Sequence, residues 1–202
     1  MMAVLAAAAV IDFHDRRHAV AGWAKSGARE HAAGPWLALE DNHRCNCLLW
    51  DEEDLARRRS VPDAEIAANK RAIDGYNQKR NDAIERIDEE LLKLVKNNEQ
   101  ARLNSETPGA MIDRLSILSL KIHHMRLQTL RSDVARAHIE ECQAKLNRLN
   151  EQRTDLASCL DRLLSDVERG EARFKVYRQF KMYNDPSLNP AVYGESKRPP
   201  RS

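Results

Sequence analysis

Aromatic residues make up only 5% of this 202-residue chain, and glycine and proline number seven each. Sheets draw on aromatic and β-branched residues for their strands and on glycine and proline for their corners, so the shortage argues against a β architecture. Four cysteines are too few for a disulfide scaffold at this length, and the Cys45-x-Cys47 spacing suits neither a zinc knuckle nor a redox pair. They read as reduced, small apolar side chains, which fits a cytoplasmic protein. No apolar run is long enough to span a bilayer. The Ala-rich start, Met1 to Phe13, has no basic n-region and runs straight into His14-Asp15-Arg16-Arg17-His18, so it reads as a first helix and not as a signal peptide. An excess of one charge is also missing. With 33 Lys and Arg against 31 Asp and Glu, a net +2 provides no long-range field for a polyanion. The short basic clusters Arg57-Arg58-Arg59 and Lys197 to Arg201 lack interleaved aromatics for base stacking. Neither nucleic acid nor a membrane is expected as a partner.

What is abundant is charge, 32%, beside a normal apolar share of 42%, with Ala, Leu, Glu, Lys and Arg favouring helices. Breakers fall at Gly34-Pro35, Pro62, Pro108-Gly109, Gly170 and from Pro186 onward. They predict one helix over about Val4 to Lys25, a second from Pro35, a third after Pro62-Asp63 and a fourth after Thr107-Pro108-Gly109. A long one runs from a cap near Ser132-Asp133 to Glu168, and a shorter one covers Glu171 to Tyr183. The expectation is an all-α bundle of five or six helices over residues 1–183, with an irregular or disordered tail over 184–202. In the long helix, Ile139, Cys142, Leu146, Leu149, Arg153, Leu156, Leu160, Leu163 and Val167 recur at spacings of three and four. Such a seam suits packing in the bundle or a homodimer. Met111, Leu115, Leu118, Ile122 and Met125, flanked by Ile117 and Leu120, make the fourth helix apolar on more than one face, as a central helix would be.

The unusual segment is the second helix. Leu39, His43, Asn46, Trp50, Glu53 and Arg57 form one stripe that mixes apolar anchor, ring and charge. The third helix puts Lys70, Asn77 and Arg80 where apolar residues belong, and these need partners if buried. If the two stripes face each other, His43, Asn46, Glu53, Asn77 and Arg80 converge with Asp113, Arg114 and Lys121 of the fourth helix. The result would be a polar pocket. Structural ion pairing around a buried Trp50 is the alternative outcome.

Metal spacing is present but incomplete. Bundles build di-metal centres from carboxylate-x-x-His pairs, and Glu40-x-x-His43 and Asp15-x-x-His18 have that spacing. No further carboxylates are singled out, and His14 and His18 carry Asp15 where a zinc protease would have Glu. They read as histidines of an exposed helix. No metal and no cofactor is therefore expected, with Glu40, His43, Asp15 and His18 as secondary candidates. Glycine-rich phosphate loops and nucleophile elbows are absent.

Three blocks carry a family resemblance. The first runs from His43-Arg44-Cys45-Asn46 through Leu49-Trp50-Asp51-Glu52-Glu53-Asp54 and Ala56-Arg57 to Lys70-Arg71-Ala72-Ile73-Asp74 and Asn77-Gln78-Lys79-Arg80-Asn81. The second spans Leu103 to Gly109 with Ile112 to Leu118 and Lys121, and the third is Tyr177 to Pro190. Through them the chain, from about Asp12 to Tyr193, resembles the bacterial family catalogued as domain of unknown function 4254. The resemblance implies a helical cytoplasmic protein and a loose link to cell-surface glycan genes. The family commonly has His after the second-helix Trp, where this chain has Asp51. A mechanism requiring that His would fail here unless Asp51 substitutes as base or ligand.

The resulting expectation is a non-catalytic binding or accessory protein, linked to envelope glycan biosynthesis, that takes a small anionic or sugar-linked ligand. Its ligand-binding residues would be Asn46, Trp50, Asn77, Arg80, Asp113, Arg114 and Lys121. Guanidinium forks and an ammonium suit phosphate or carboxylate. The competing expectations are an enzyme using His43, Glu53 or Asp54 in acid-base or metal-assisted work, and a structural coiled-coil adaptor.

Overall fold

A proline costs least in the first turn of a helix, where its missing N–H would have no intrahelical partner. In the computed structural model, which describes residues 5–96, 98–180, 182 and 185–191, Pro35 occupies that turn of α3 (Gly34–Leu55) and Pro108 opens α5 (Pro108–Thr129). The Thr107 hydroxyl caps α5 by accepting from the Ala110 amide at 3.2 Å. α4 (Asp63–Leu92) follows Pro62 and carries Asp63 and Glu65 at its positive end. With α1 (Ala7–His18), α2 (Trp23–Ser26) and α6 (Arg136–Glu168), these make six helices among the described residues. The fold is an all-α bundle. α3 lies along α4 and α5 along α6, while α5 also touches α1, α3 and α4, so the doubly apolar helix is central. Seam residues Cys142, Leu146, Leu156, Leu160, Leu163 and Val167 are buried within the chain.

Three expected boundaries are corrected. The first helix stops at His18 and not Lys25, because Gly22 takes a left-handed backbone (φ 69°) that turns Trp23 into the core against Phe13, ring centroids 6.2 Å apart. α6 begins at Arg136, since Asp133 is held by Arg131 at 2.7 Å and does not cap the helix. Of the helix expected over Glu171 to Tyr183, the described residues 171–180 form none, and 181 and 183 lie outside the described residues. Gly170 (φ 73°) ends α6, and β2 (Ala172–Arg173) pairs in parallel with β1 (Arg102–Leu103), burying Ala172 and Phe174 on alternate positions. Beyond it Arg178 straps the chain to α4 through Glu85, at 2.7 Å, and Glu89. Most of the tail expected from residue 184 lies outside the described residues.

α4 and α5 approach closely at Gly109. A Cβ there would lie 2.5 Å from the Ile84 carbonyl oxygen, and the Gly109 amide donates to buried Asp88 at 2.7 Å. Burial pushes the Asp88 carboxyl up from 3.8 to about 6. A raised carboxyl stabilises the fold below its unfolded pKa, and that contribution is lost as pH rises through 6. Asp88→Asn removes the titration, so between pH 5.5 and 7.5 the variant should gain about 1 kcal/mol on the parent protein. Urea unfolding of both across that range checks it, and a difference independent of pH would contradict the assignment.

Candidate functional site

The buried polar residues of α3 face α5 in one continuous strip. Asp113 Oδ1 accepts from Asn42 Nδ2 at 2.8 Å and from Asn46 Nδ2 at 2.9 Å. Asn46 also donates to the Ser116 hydroxyl at 3.0 Å, and His43 Nδ1 lies 2.8 Å from the same oxygen. Asn42, His43 and Asn46 are buried, so these bonds fix the α3–α5 register in a dry interface.

Above the strip the helices part into a cleft of about 320 Å³. α3 contributes Asn46, Trp50, Glu53 and Asp54, the turn after it Arg57, α4 contributes Asn77 and Arg80, and α5 contributes Ile117 and Leu120. Arg80 Nε is buried with no hydrogen-bond partner among the described residues, and its nearest carboxylate oxygen, on Asp113, is 3.8 Å away. The indole N–H of Trp50 is likewise buried and unpartnered. Glu53 is tied to Arg57 at 2.8 Å.

The stripes from α3 and α4 thus meet, but not every expected residue joins them. Asp113 lies in the wall behind Asn46. Arg114, one position and about 100° further round α5, faces away and pairs with Glu106. Lys121 is exposed as well, and it borders one groove of about 640 Å³ with Arg114 and Gln152 and another of about 610 Å³ with Trp50 and Asp54. His43 lies behind the cleft and not in it.

Of the secondary metal candidates, Glu40 and Asp15 are engaged elsewhere, whereas His18 and His43 are brought together, ring centroids 5.4 Å apart. Glu40, fully buried, accepts from the amides of Glu30 and His31 at 3.1 and 3.2 Å and from Arg44 at 3.3 Å, so it does not share a ligand position with His43. Asp15 accepts from Ser119 Oγ at 2.6 Å and from Arg153 at 2.8 Å. His14 and His18 do not sit on an exposed helix: His14 is fully buried and His18 partly so.

They belong to a run of imidazoles that sequence spacing does not reveal. His14 stacks on His43 at 4.4 Å, His18 meets His43 at 5.4 Å and stacks on His123 at 4.6 Å, and His124 stacks on Trp50 at 4.4 Å. Burial holds them neutral, His14 near 3, His18 near 4 and His43 well below the usual 6.5, with His123 and His124 also lowered. Cys47 Sγ lies 3.7 Å from His43 Nε2, and burial, then Asp51, push its thiol up to about 12. A second cleft, about 300 Å³, opens beside the run, lined by His18, Cys47, Asp51, His123 and His124 and sharing Trp50 and Leu120 with the first.

Residues 36–176 match the family described as protein of unknown function (DUF4254). The chain belongs to this family. The DUF4254 span takes in α3, α4, α5 and α6, hence the whole first cleft, but stops short of α1 and of the block from Tyr177 to Pro190. No curated protein and no solved structure matches the chain. No described helix is long and apolar enough to cross a membrane.

Proposed function

We propose that this DUF4254 protein binds a small anionic or sugar-linked ligand in the α3–α4–α5 cleft without transforming it. The observation that supports this is Arg80, a guanidinium whose buried Nε has no hydrogen-bond partner at the wall of an open cleft. Such a group stabilises an anion strongly, because it is already desolvated and oriented. Asn77 and Asp54 offer donors and acceptors for hydroxyls, Asn46 offers its Oδ1 alone because its amide hydrogens are given to Asp113 and Ser116, and Trp50, backed on one face by His124, offers apolar ring surface. An accessory role in envelope glycan assembly accords with such a ligand, and the free thiols Cys45 and Cys47 accord with the cytoplasm.

Catalysis is less well supported. The raised carboxyl, Asp88, lies at the α4–α5 contact away from the cleft, Glu53 is engaged by Arg57, and His43 is behind the wall. A purely structural adaptor would have Arg80, Asp113 and Arg114 satisfying one another in a filled interior, whereas Arg80 stands 3.8 Å from Asp113, beyond hydrogen-bond reach, at the wall of an open cleft, and Arg114 pairs with Glu106 instead. Calorimetric titration with phosphorylated sugars and nucleotides tests the reading. Arg80→Ala should weaken binding about 10- to 100-fold, the worth of one charged hydrogen bond, while Arg114→Ala leaves it unchanged. Equal affinities in all three proteins, or no binding by the parent protein, would reject it.

A further inference from the structure

From the juxtaposition of His18, His43 and Cys47 beside the second cleft, we infer that this protein holds a zinc-class transition-metal ion there, through two imidazoles and one thiolate. One ligand atom from each residue lies within 4.8 Å of the other two. The His43 Nε2 to Cys47 Sγ separation is 3.7 Å. Two such ligands on one tetrahedral zinc, at usual bond lengths, stand about 3.6 Å apart. His43 and Cys47 are four residues apart on α3 and so share a face, and His18 reaches the same point from the end of α1.

One nitrogen of each ring contacts a serine hydroxyl, as the second shell of a metal-bound imidazole does. Ser119 Oγ gives its proton to Asp15 at 2.6 Å, so its 2.9 Å contact with His18 is accepted from the Nε2–H. That leaves the His18 Nδ1 lone pair for an ion. Ser116 Oγ has a lone pair for a His43 Nδ1–H besides the one used by Asn46, and in that tautomer the lone pair of Nε2, 3.7 Å from Cys47 Sγ, is the one an ion would take. An Asp-Ser-His chain behind one ligand and an Asn-Ser-His chain behind the other form the outer shell that fixes tautomer and ring angle in metal sites.

A nitrogen and sulfur donor set selects borderline-to-soft cations over magnesium or calcium. Three protein ligands leave a fourth position open to the cleft, where His123 stacks on His18. Binding releases the Cys47 thiol proton to solvent. The site is separate from Arg80 and does not depend on what the first cleft binds.

Cobalt(II) titration of the full, reduced, chelator-stripped chain tests this. The expected result is one cobalt per chain, with tetrahedral visible bands and a thiolate-to-cobalt charge-transfer band, displaced by zinc. Cys47→Ser should abolish the charge-transfer band and weaken zinc binding at least about 100-fold. Cys142→Ser should change nothing, although Cys142 Sγ lies 3.4 Å from His138 Nε2 at the same i,i+4 spacing on α6. Circular dichroism establishes that each variant is folded. If Cys47→Ser is not, His18→Gln replaces it and should show the same loss of affinity. Absence of cobalt binding by the parent chain, a charge-transfer band surviving in Cys47→Ser, or undiminished zinc affinity in folded His18→Gln would overturn the assignment.

Discussion

Glu40→Ala is expected to destabilise the protein by about 3–5 kcal/mol, the range for stranding one member of a buried ion pair. Glu40 is fully buried, and its carboxylate holds the Glu30 and His31 amides and the Arg44 guanidinium. Arg44, itself buried over the Trp23 ring at 4.3 Å, donates to the carbonyls of Trp23, Ala24 and Ala28. Together the pair fastens the whole connection between α1 and α3 onto one turn of α3. Removing the carboxylate leaves an uncompensated cation and two amides without acceptors. Glu40→Gln keeps an acceptor and loses the charge, so its cost should fall between the parent protein and Glu40→Ala. Urea unfolding measures both. A loss under 1 kcal/mol for Glu40→Ala would mean that residues 23–31 do not depend on this anchor.

Glu40 also illustrates what local sequence can and cannot say. Its spacing to His43 suggests a ligand pair, yet its partners come from a loop shaped by Gly22 and Gly27, both at positive φ, which no periodicity announces. The helices that begin at Pro35, Asp63 and Pro108 were legible because capping chemistry is local, and the α6 seam because a buried face repeats at helical spacing. β2 was missed because alternation over Ala172, Arg173 and Phe174 is too short to compete with a helical pattern. In the first cleft, the α3 stripe and the polar breaks at Asn77 and Arg80 pointed to residues that do meet. Arg114 and Lys121 do not join them, because each is one step round the helix from an inward residue, Asp113 and Leu120, and that difference in facing is not fixed by sequence alone. The imidazole run was out of reach, since it joins α1, α3 and α5 across more than a hundred residues.

That run predicts an abrupt acid transition in protein kept free of metal by a chelator. His14, His18 and His43 have folded pKa values far below the 6.5 of an unfolded chain, so the stability they contribute is present above 6.5 and lost as pH falls toward 4 and 3. Integrated to pH 5, each costs about 2 kcal/mol and the three together about 6, comparable with the whole stability of a domain this size. Asp15 and Arg153 face His14 with opposite charge, and burial still dominates because neither of its ring nitrogens has a hydrogen-bond partner among the described residues. Acid unfolding should therefore centre between about pH 4 and 5, with a slope near three protons, or about 4 kcal/mol per pH unit. His14→Leu replaces the titrating ring with an apolar side chain against Phe13 and His43. It should remove about one proton from that slope and recover about 2 kcal/mol at pH 5. If His14→Leu unfolds at the same pH and with the same slope as the parent protein, His14 already accepts a proton in the native state, and the run is wetter and more mobile than its packing implies.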